Sequence, residues 1–157
     1  MAKKNRYKCK VGLIVAIPLP DGRFAFAKVF NDNFFGVYSL VSKKIEPLEK
    51  IIKHDITFFQ SATHSAVILG EWPIVGEDPF PNEESAWAPP QAAGNLPQDN
   101  LGTPSPMLYY KGKMKSAKIE DLIGLDIFSA CPEPDLFIDV LVDRLIKGDH
   151  SEYRVRL

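Results

Sequence analysis

The residues able to do chemistry in this chain are few. His54, His64 and His150 never stand four apart, so none forms the i, i+4 pair with which a helix holds zinc. His54 precedes Asp55, and neighbours on a strand point to opposite faces. No metal site is expected. Cys9 and Cys131 are too few for a disulfide framework or a zinc knuckle, and reduced, inert thiols are expected. The sequence has no GxSxG elbow, no GxxxxGK[ST] phosphate loop and no GxGxxG turn. Glu83-Glu84 and Glu120-Asp121 are acid pairs of the kind that serve glycoside hydrolysis. A chain with 20 acids holds such pairs by chance, and these fall where loops and caps are expected. The expectation is no catalytic residue, no cofactor and no metal: a binding protein rather than an enzyme.

Charge carries more information than chemistry. The net charge of −1 argues against a generic nucleic-acid binder, whose footprint is a strong basic excess. It is a cancellation between blocks. Residues 54–110 contain no Lys or Arg but seven acids: Asp55, Glu71, Glu77, Asp78, Glu83, Glu84 and Asp99. Residues 3–10 hold five basic groups and residues 111–118 hold four. Acids beside aromatic side chains suit a surface for a basic partner: the acids steer encounter and the aromatics anchor it. Glu71, Trp72, Glu77, Asp78, Phe80, Glu83, Glu84 and Trp87 are therefore the candidate partner-binding residues. The plainer reading of Glu77–Glu84 is a solvated loop, and that of Trp72 is a core residue beside a strand. The two basic blocks read as solvated surfaces, the first as a frayed tail.

The elements that must position these residues are mostly strands. Val11–Ile17 is a compact apolar strand ending at Pro18. In Leu19-Pro20-Asp21-Gly22, Pro fixes φ and Asp-Gly supplies a left-handed position, which makes a turn. Arg23–Phe30 is a second strand, with Phe24, Phe26 and Phe30 on one face. Asn31-Asp32-Asn33 is a second turn, and Phe34–Leu40 a third strand. Such a meander, strongly bent, is how small barrels begin. Pro47–Lys53 has helical spacing, Asp55–Gln60 that of a strand, and Ser65–Leu69 is ambiguous. Trp72–Val75 reads as an edge or bulged strand.

Eight of the 13 prolines lie between Pro73 and Pro106. This stretch is too proline-rich for regular structure and too long for an ordinary connection. Its aromatics favour a partly packed loop over disorder. Met107–Tyr110 is a strand, Lys111-Gly112-Lys113 a turn and Ala117–Ile123 a short helix with Ser116 as N-cap. Asp135–Lys147 is the best helix: Glu133 or Asp135 caps it, Pro134 fits its first turn, and Gly148 closes it. Leu136, Phe137, Val140, Leu141, Leu145 and Ile146 form its apolar stripe, with Asp139, Asp143 and Arg144 off it. Tyr153–Leu157 alternates and suits a further strand.

The expected fold is α+β and mainly β: a small antiparallel, strongly bent sheet or partly open barrel of about five or six strands. A C-terminal amphipathic helix packs on it, and a long Pro-rich loop leaves it. One domain spans 1–157, with a basic tail at 1–10, a meander core at 11–76, the acidic loop at 77–106, and a strand plus helix at 107–157. No apolar run approaches the roughly 20 residues of a membrane span, and no signal-like core follows the basic start. A cytoplasmic chain that binds no membrane is expected.

The run from Val11 to Val29 resembles the opening of the immunity protein 26 family of bacterial polymorphic toxin systems. The matching residues are Ala16, Ile17, Pro18, Leu19, Asp21, Gly22, Arg23, Phe24 and Val29. Trp72-Pro73-Ile74-Val75-Gly76 is similar to the family's W-x-I-x-G element. Leu13 and Ala27 depart from the pattern, where an acidic residue and a glycine are usual. The resemblance implies a cytoplasmic antitoxin that neutralises a cognate toxin, often a nuclease, without catalysis. It carries over structural residues only: Pro18 ends a strand, Asp21-Gly22 makes the turn, and Phe24 fills the core. An immunity protein facing a basic toxin is thus the first reading. The second is a small β-barrel module for nucleic acid or peptide, and the third a hydrolase using the paired acids.

Overall fold

A computed structural model describes residues 6–156. Its strands fall into two sheets, neither closed into a barrel. The larger begins as a meander of β1 (Leu13–Pro18), β2 (Phe24–Val29) and β3 (Phe34–Ser42). The first turn follows from its residues. Gly22 takes φ 87°, its N–H donates to the Leu19 carbonyl at 3.1 Å, and the Asp21 carboxylate accepts from the Arg23 N–H at 3.0 Å. Asp32 and Asn33 both take positive φ in the second turn, a conformation that Asp and Asn tolerate. A short helix α1 (Leu48–Ile51) leads to β4 (Ile56–Ala62). Helix α2 (Ser65–Ile68) then turns the chain back to β5 (Ile74–Glu77), which pairs beside β1 across a bulge at Ile14/Val15.

The chain next builds a small second sheet from β6 (Gln91–Asn95), β7 (Ser105–Tyr110) and β8 (Lys113–Ser116). Helix α3 (Ile119–Leu122) follows it. Strand β9 (Ala130–Cys131) pairs parallel to β4, and helix α4 spans Pro134–Leu141. The larger sheet therefore runs β5-β1-β2-β3-β4-β9 and the smaller β6-β7-β8.

Strand β1 is apolar along its whole length because both of its faces are covered, which removes the polar alternation of a half-solvated strand. Leu13, Val15 and Ile17 join Ala25, Ala27, Val29, Phe35 and Val37 in the principal core, closed by Trp72, Phe137 and Leu141. On the other face Ile14, Ala16, Phe26 and Tyr38 pack with Ile51 of α1. Phe24 and Phe26 share that face, whereas Phe30, one residue past β2, enters a separate cluster with Phe34, Ala88 and Phe80. A fourth cluster (Ala92, Leu96, Leu122, Val155) holds the smaller sheet to α3 and the C-terminal segment.

Several expectations change. The larger sheet has the six strands expected of a bent, unclosed sheet, and the second sheet is an addition, because β6 and β8 carry weak strand signals. The Pro-rich stretch contains β6 and packs Phe80, Ala86 and Ala88 inward. The last helix is shorter than 135–147: it becomes a π turn at Val142–Ile146. That turn brings Arg144 inside rather than off the apolar face. Arg144 is 4% exposed, donates to both Asp126 carboxylate oxygens (3.0 and 2.9 Å) and donates from Nε to His150 Nδ1 at 3.0 Å. The Phe58 ring lies 4.3 Å from its guanidinium. Glu133 and Lys118 precede α4 and α3 without side-chain caps, so neither the Glu133 nor the Ser116 cap forms. The final segment makes one bridge, Asp126 with Arg154, and a 3-10 turn at Ser151–Tyr153 instead of a strand.

Candidate partner-binding surface

The loop after β5 is held by both main-chain and charged contacts. The Asp78 N–H donates to the Gly12 carbonyl at 2.9 Å, and Gly12 takes φ 95° where the loop passes. Asp78 pairs at 3.1 Å with Lys28, a lysine within β2 that is only 8% exposed. The Lys28 ammonium also sits 3.9 Å from the centre of the Phe80 ring, whose edge meets Phe30 at 4.8 Å. Phe80 is thereby fixed and half-buried. Residue type alone does not mark Lys28 as part of this surface. A lysine inside an otherwise apolar strand was the available signal, because a buried charge needs a partner.

Beyond Phe80, Asn82 organises the chain. Its side-chain oxygen accepts the Ser85 N–H at 3.0 Å, and its carbonyl accepts the Ser85 hydroxyl at 2.8 Å. A 3-10 turn at Glu84–Ala86 follows, and the Ala86 carbonyl accepts the Asn31 N–H at 2.9 Å. Val11, Asn31, Pro79, Phe80, Asn82, Glu83 and Ala86 line an open groove of about 330 Å³. Glu84 pairs with Lys111 at the β7–β8 turn, which raises the pKa of that ammonium chiefly through the hydrogen bond. Half-buried Trp87 stands near the same ammonium, 6.0 Å from its ring centre. Tyr109 stacks on Phe128 at 3.9 Å and donates its hydroxyl to Asp32; burial, then that bond, pushes it up to about 12.

The candidate residues therefore divide. Glu77, Asp78, Phe80, Glu83, Glu84 and Trp87 belong to one ordered loop. Glu77 pairs with Lys10 at 3.2 Å, so three of its acids meet lysines supplied by other parts of the chain. Glu83 is exposed and makes no ion pair among the described residues. Glu71 is exposed but stands apart, just after α2. Trp72 is corrected: it is 2% exposed, with its ring centre 5.7 Å from Phe35 and 5.1 Å from Phe137. A buried indole presents nothing to a partner.

The match with known proteins overlies this surface. The sequence model described as immunity protein 26 matches residues 10–93, more than half of the chain. The chain belongs to the immunity protein 26 family. Membership implies an immunity protein with a toxin partner, and such families are generally non-enzymatic. The matched span runs from just before β1 into β6, so it takes in the Glu77–Trp87 loop as well as the Val11–Gly76 segment whose residues carry the resemblance. No curated protein and no solved structure matches.

The residues considered for catalysis are dispersed. Glu83 and Asp121 line separate grooves, while Glu120 is exposed in α3. Among the described residues no three His, Cys, Asp or Glu side chains cluster in a way that would hold a metal ion. His64 lies edge-on to Phe35, and burial lowers its pKa. His150 is lowered first by burial and then by Arg144 and Arg154. Burial raises the Cys9 thiol to about 11 and raises Cys131 as well, which disfavours the thiolate that nucleophilic chemistry requires. Among the described residues no helix is long and apolar enough to cross a membrane.

Proposed function

We propose that this immunity protein 26 family member is the cytoplasmic antitoxin of a bacterial polymorphic toxin system. It binds and neutralises a cognate toxin through the surface from Glu77 to Trp87, and that toxin is a basic, nuclease-type protein. Family membership carries the toxin partner. The basic character of the toxin rests on charge: nuclease clefts are basic in order to hold phosphate, and carboxylates occupy such clefts as phosphate does. Exposed Glu83, the groove beside Phe80 and half-buried Trp87 form an acid rim around ordered aromatics. Order before binding matters, because an interface pays less entropy when its anchors are already fixed.

The test is calorimetry with the purified toxin domain encoded beside this chain. Glu83, which makes no ion pair among the described residues, is the residue to reverse, together with Glu77, whose pair with Lys10 is well exposed on both sides and contributes little to the fold. Lysine at Asp78 would leave Lys28 buried beside a like charge, and lysine at Glu84 would face Lys111. Glu77→Lys/Glu83→Lys is expected to weaken binding by about a hundredfold, the scale of losing charged contacts at an interface. Unchanged affinity would remove this surface from the function.

A further inference from the structure

The smaller sheet ends on an open edge. Strand β8 pairs with β7 on one side only, and all four of its residues are exposed. An antiparallel ladder turns the main-chain N–H and C=O of every second residue away from its partner, so β8 offers both donors and acceptors to solvent. Side chains on the same hairpin shape a groove beside that edge. Leu108 lies at the junction of two hollows. One, of about 300 Å³, is lined by Tyr110, Lys113, Met114 and Lys115. The other, of about 560 Å³, reaches Ala117, Lys118 and Leu122, with one acid, Asp121, at its rim. Met114 is 55% exposed although it is a large apolar residue. Lys113, Lys115 and Lys118 make no ion pair among the described residues, unlike Lys111.

We propose that β8 is a docking edge for an extended, acidic segment of a partner protein, added as a fourth strand with its apolar side chains in the groove over Leu108. Strand addition draws affinity from main-chain hydrogen bonds and specificity from alternate side-chain pockets. Lysines on an edge normally bar strand pairing, and the strand they admit is one of opposite charge. A second copy of this chain does not fit, because two β8 edges would set Lys113 and Lys115 against their own copies. A nucleic-acid strand fits less well than a peptide, because phosphates offer no donors to the outward carbonyls. This edge lies beyond the matched span and stands independently of the acidic loop.

Fluorescence anisotropy with a labelled peptide of about six residues alternating Glu and Val tests it, a common strand length that covers the four residues of β8. Saturable binding is expected. It should weaken by about tenfold in Lys113→Glu/Lys115→Glu, with Lys113→Gln/Lys115→Gln intermediate and the charge-matched Lys53→Glu, exposed elsewhere on the molecule, unchanged. All these positions are exposed, and far-ultraviolet circular dichroism verifies folding. The same peptide with alternate amides N-methylated should bind about tenfold more weakly, because it cannot complete the ladder. No binding, equal binding of the N-methylated peptide, or insensitivity to the lysine variants would overturn the proposal. So would tighter binding of a labelled oligothymidine to the same lysines, or a dimer in light scattering that Met114→Lys dissolves.

Discussion

Trp72 and Trp87 lie in the same stretch without Lys or Arg, and residue type makes both candidate anchors, although the strand beside Trp72 already favours a core position for it. Packing separates them. Trp72 fills the space between Phe35 and Phe137, and Trp87 is half-buried beside Lys111. Truncating a buried aromatic removes its burial and leaves a cavity, so Trp72→Ala should cost about 3–5 kcal/mol of stability. Trp87→Ala should cost about 1 kcal/mol or less, the range of partly exposed positions. Urea unfolding of both variants measures the contrast, and equal losses would place Trp87 in a load-carrying core. Lys28 shows the opposite failure of inference from residue type. A lysine on a strand is ordinarily a solvated one; this one is buried because Asp78 and Phe80 close over it from a loop 50 positions away in sequence. Only the folded chain brings that carboxylate to the strand.

The elements legible in sequence are those with strong local chemistry. The meander is readable because Asp21-Gly22 and Asn31-Asp32-Asn33 demand turns and apolar runs separate them. Strand β7 and the turn after it are readable, the turn through Lys111-Gly112, both at positive φ. Strand β6 is not: Gln-Ala-Ala-Gly-Asn contains no β-branched or aromatic residue, and its pairing with β7 comes from tertiary packing of Ala92 and Leu96. The π turn after α4 is equally silent, since its extra residue serves Arg144 and its distant partner Asp126. Gly94 shows what β6 needs instead of propensity. It takes φ 80°, and a β-carbon there would lie 2.4 Å from the Ser105 carbonyl oxygen, too close for any real contact. Gly102 takes φ 91° with open space around it. Gly102→Ala should therefore show only the left-handed backbone cost of about 1–2 kcal/mol. Gly94→Ala should lose clearly more, because β6 and β7 must also part. Urea midpoints compare the two, and equal losses would mean that close strand approach does not hold this hairpin.

Across the whole molecule, folding partly undoes the charge segregation written in the sequence. The block without Lys or Arg receives lysines from three places: Lys10 before β1, Lys28 in β2 and Lys111 after β7. Three of the block's seven acids are thereby paired; Asp55, Glu71, Glu83 and Asp99 keep no ion pair among the described residues, nor do Lys113, Lys115 and Lys118 on the other side. The toxin-facing field should therefore be local rather than global. Local exposed charge steers encounter, is screened over about 8–10 Å at physiological salt, and contributes less to holding a complex together. The association rate with the toxin should accordingly fall steeply as salt rises from low to physiological ionic strength, while the dissociation rate changes little. Glu83→Lys should lower the association rate and flatten its salt dependence. The fold itself should respond weakly to the same salt range, because most of its ion pairs are exposed and such pairs contribute about 0–1 kcal/mol each. Stopped-flow association over a salt series, run beside urea unfolding in the same buffers, separates the two effects. An association rate indifferent to salt would mean that shape and apolar contact at Phe80 and Trp87, rather than the acids, govern recognition.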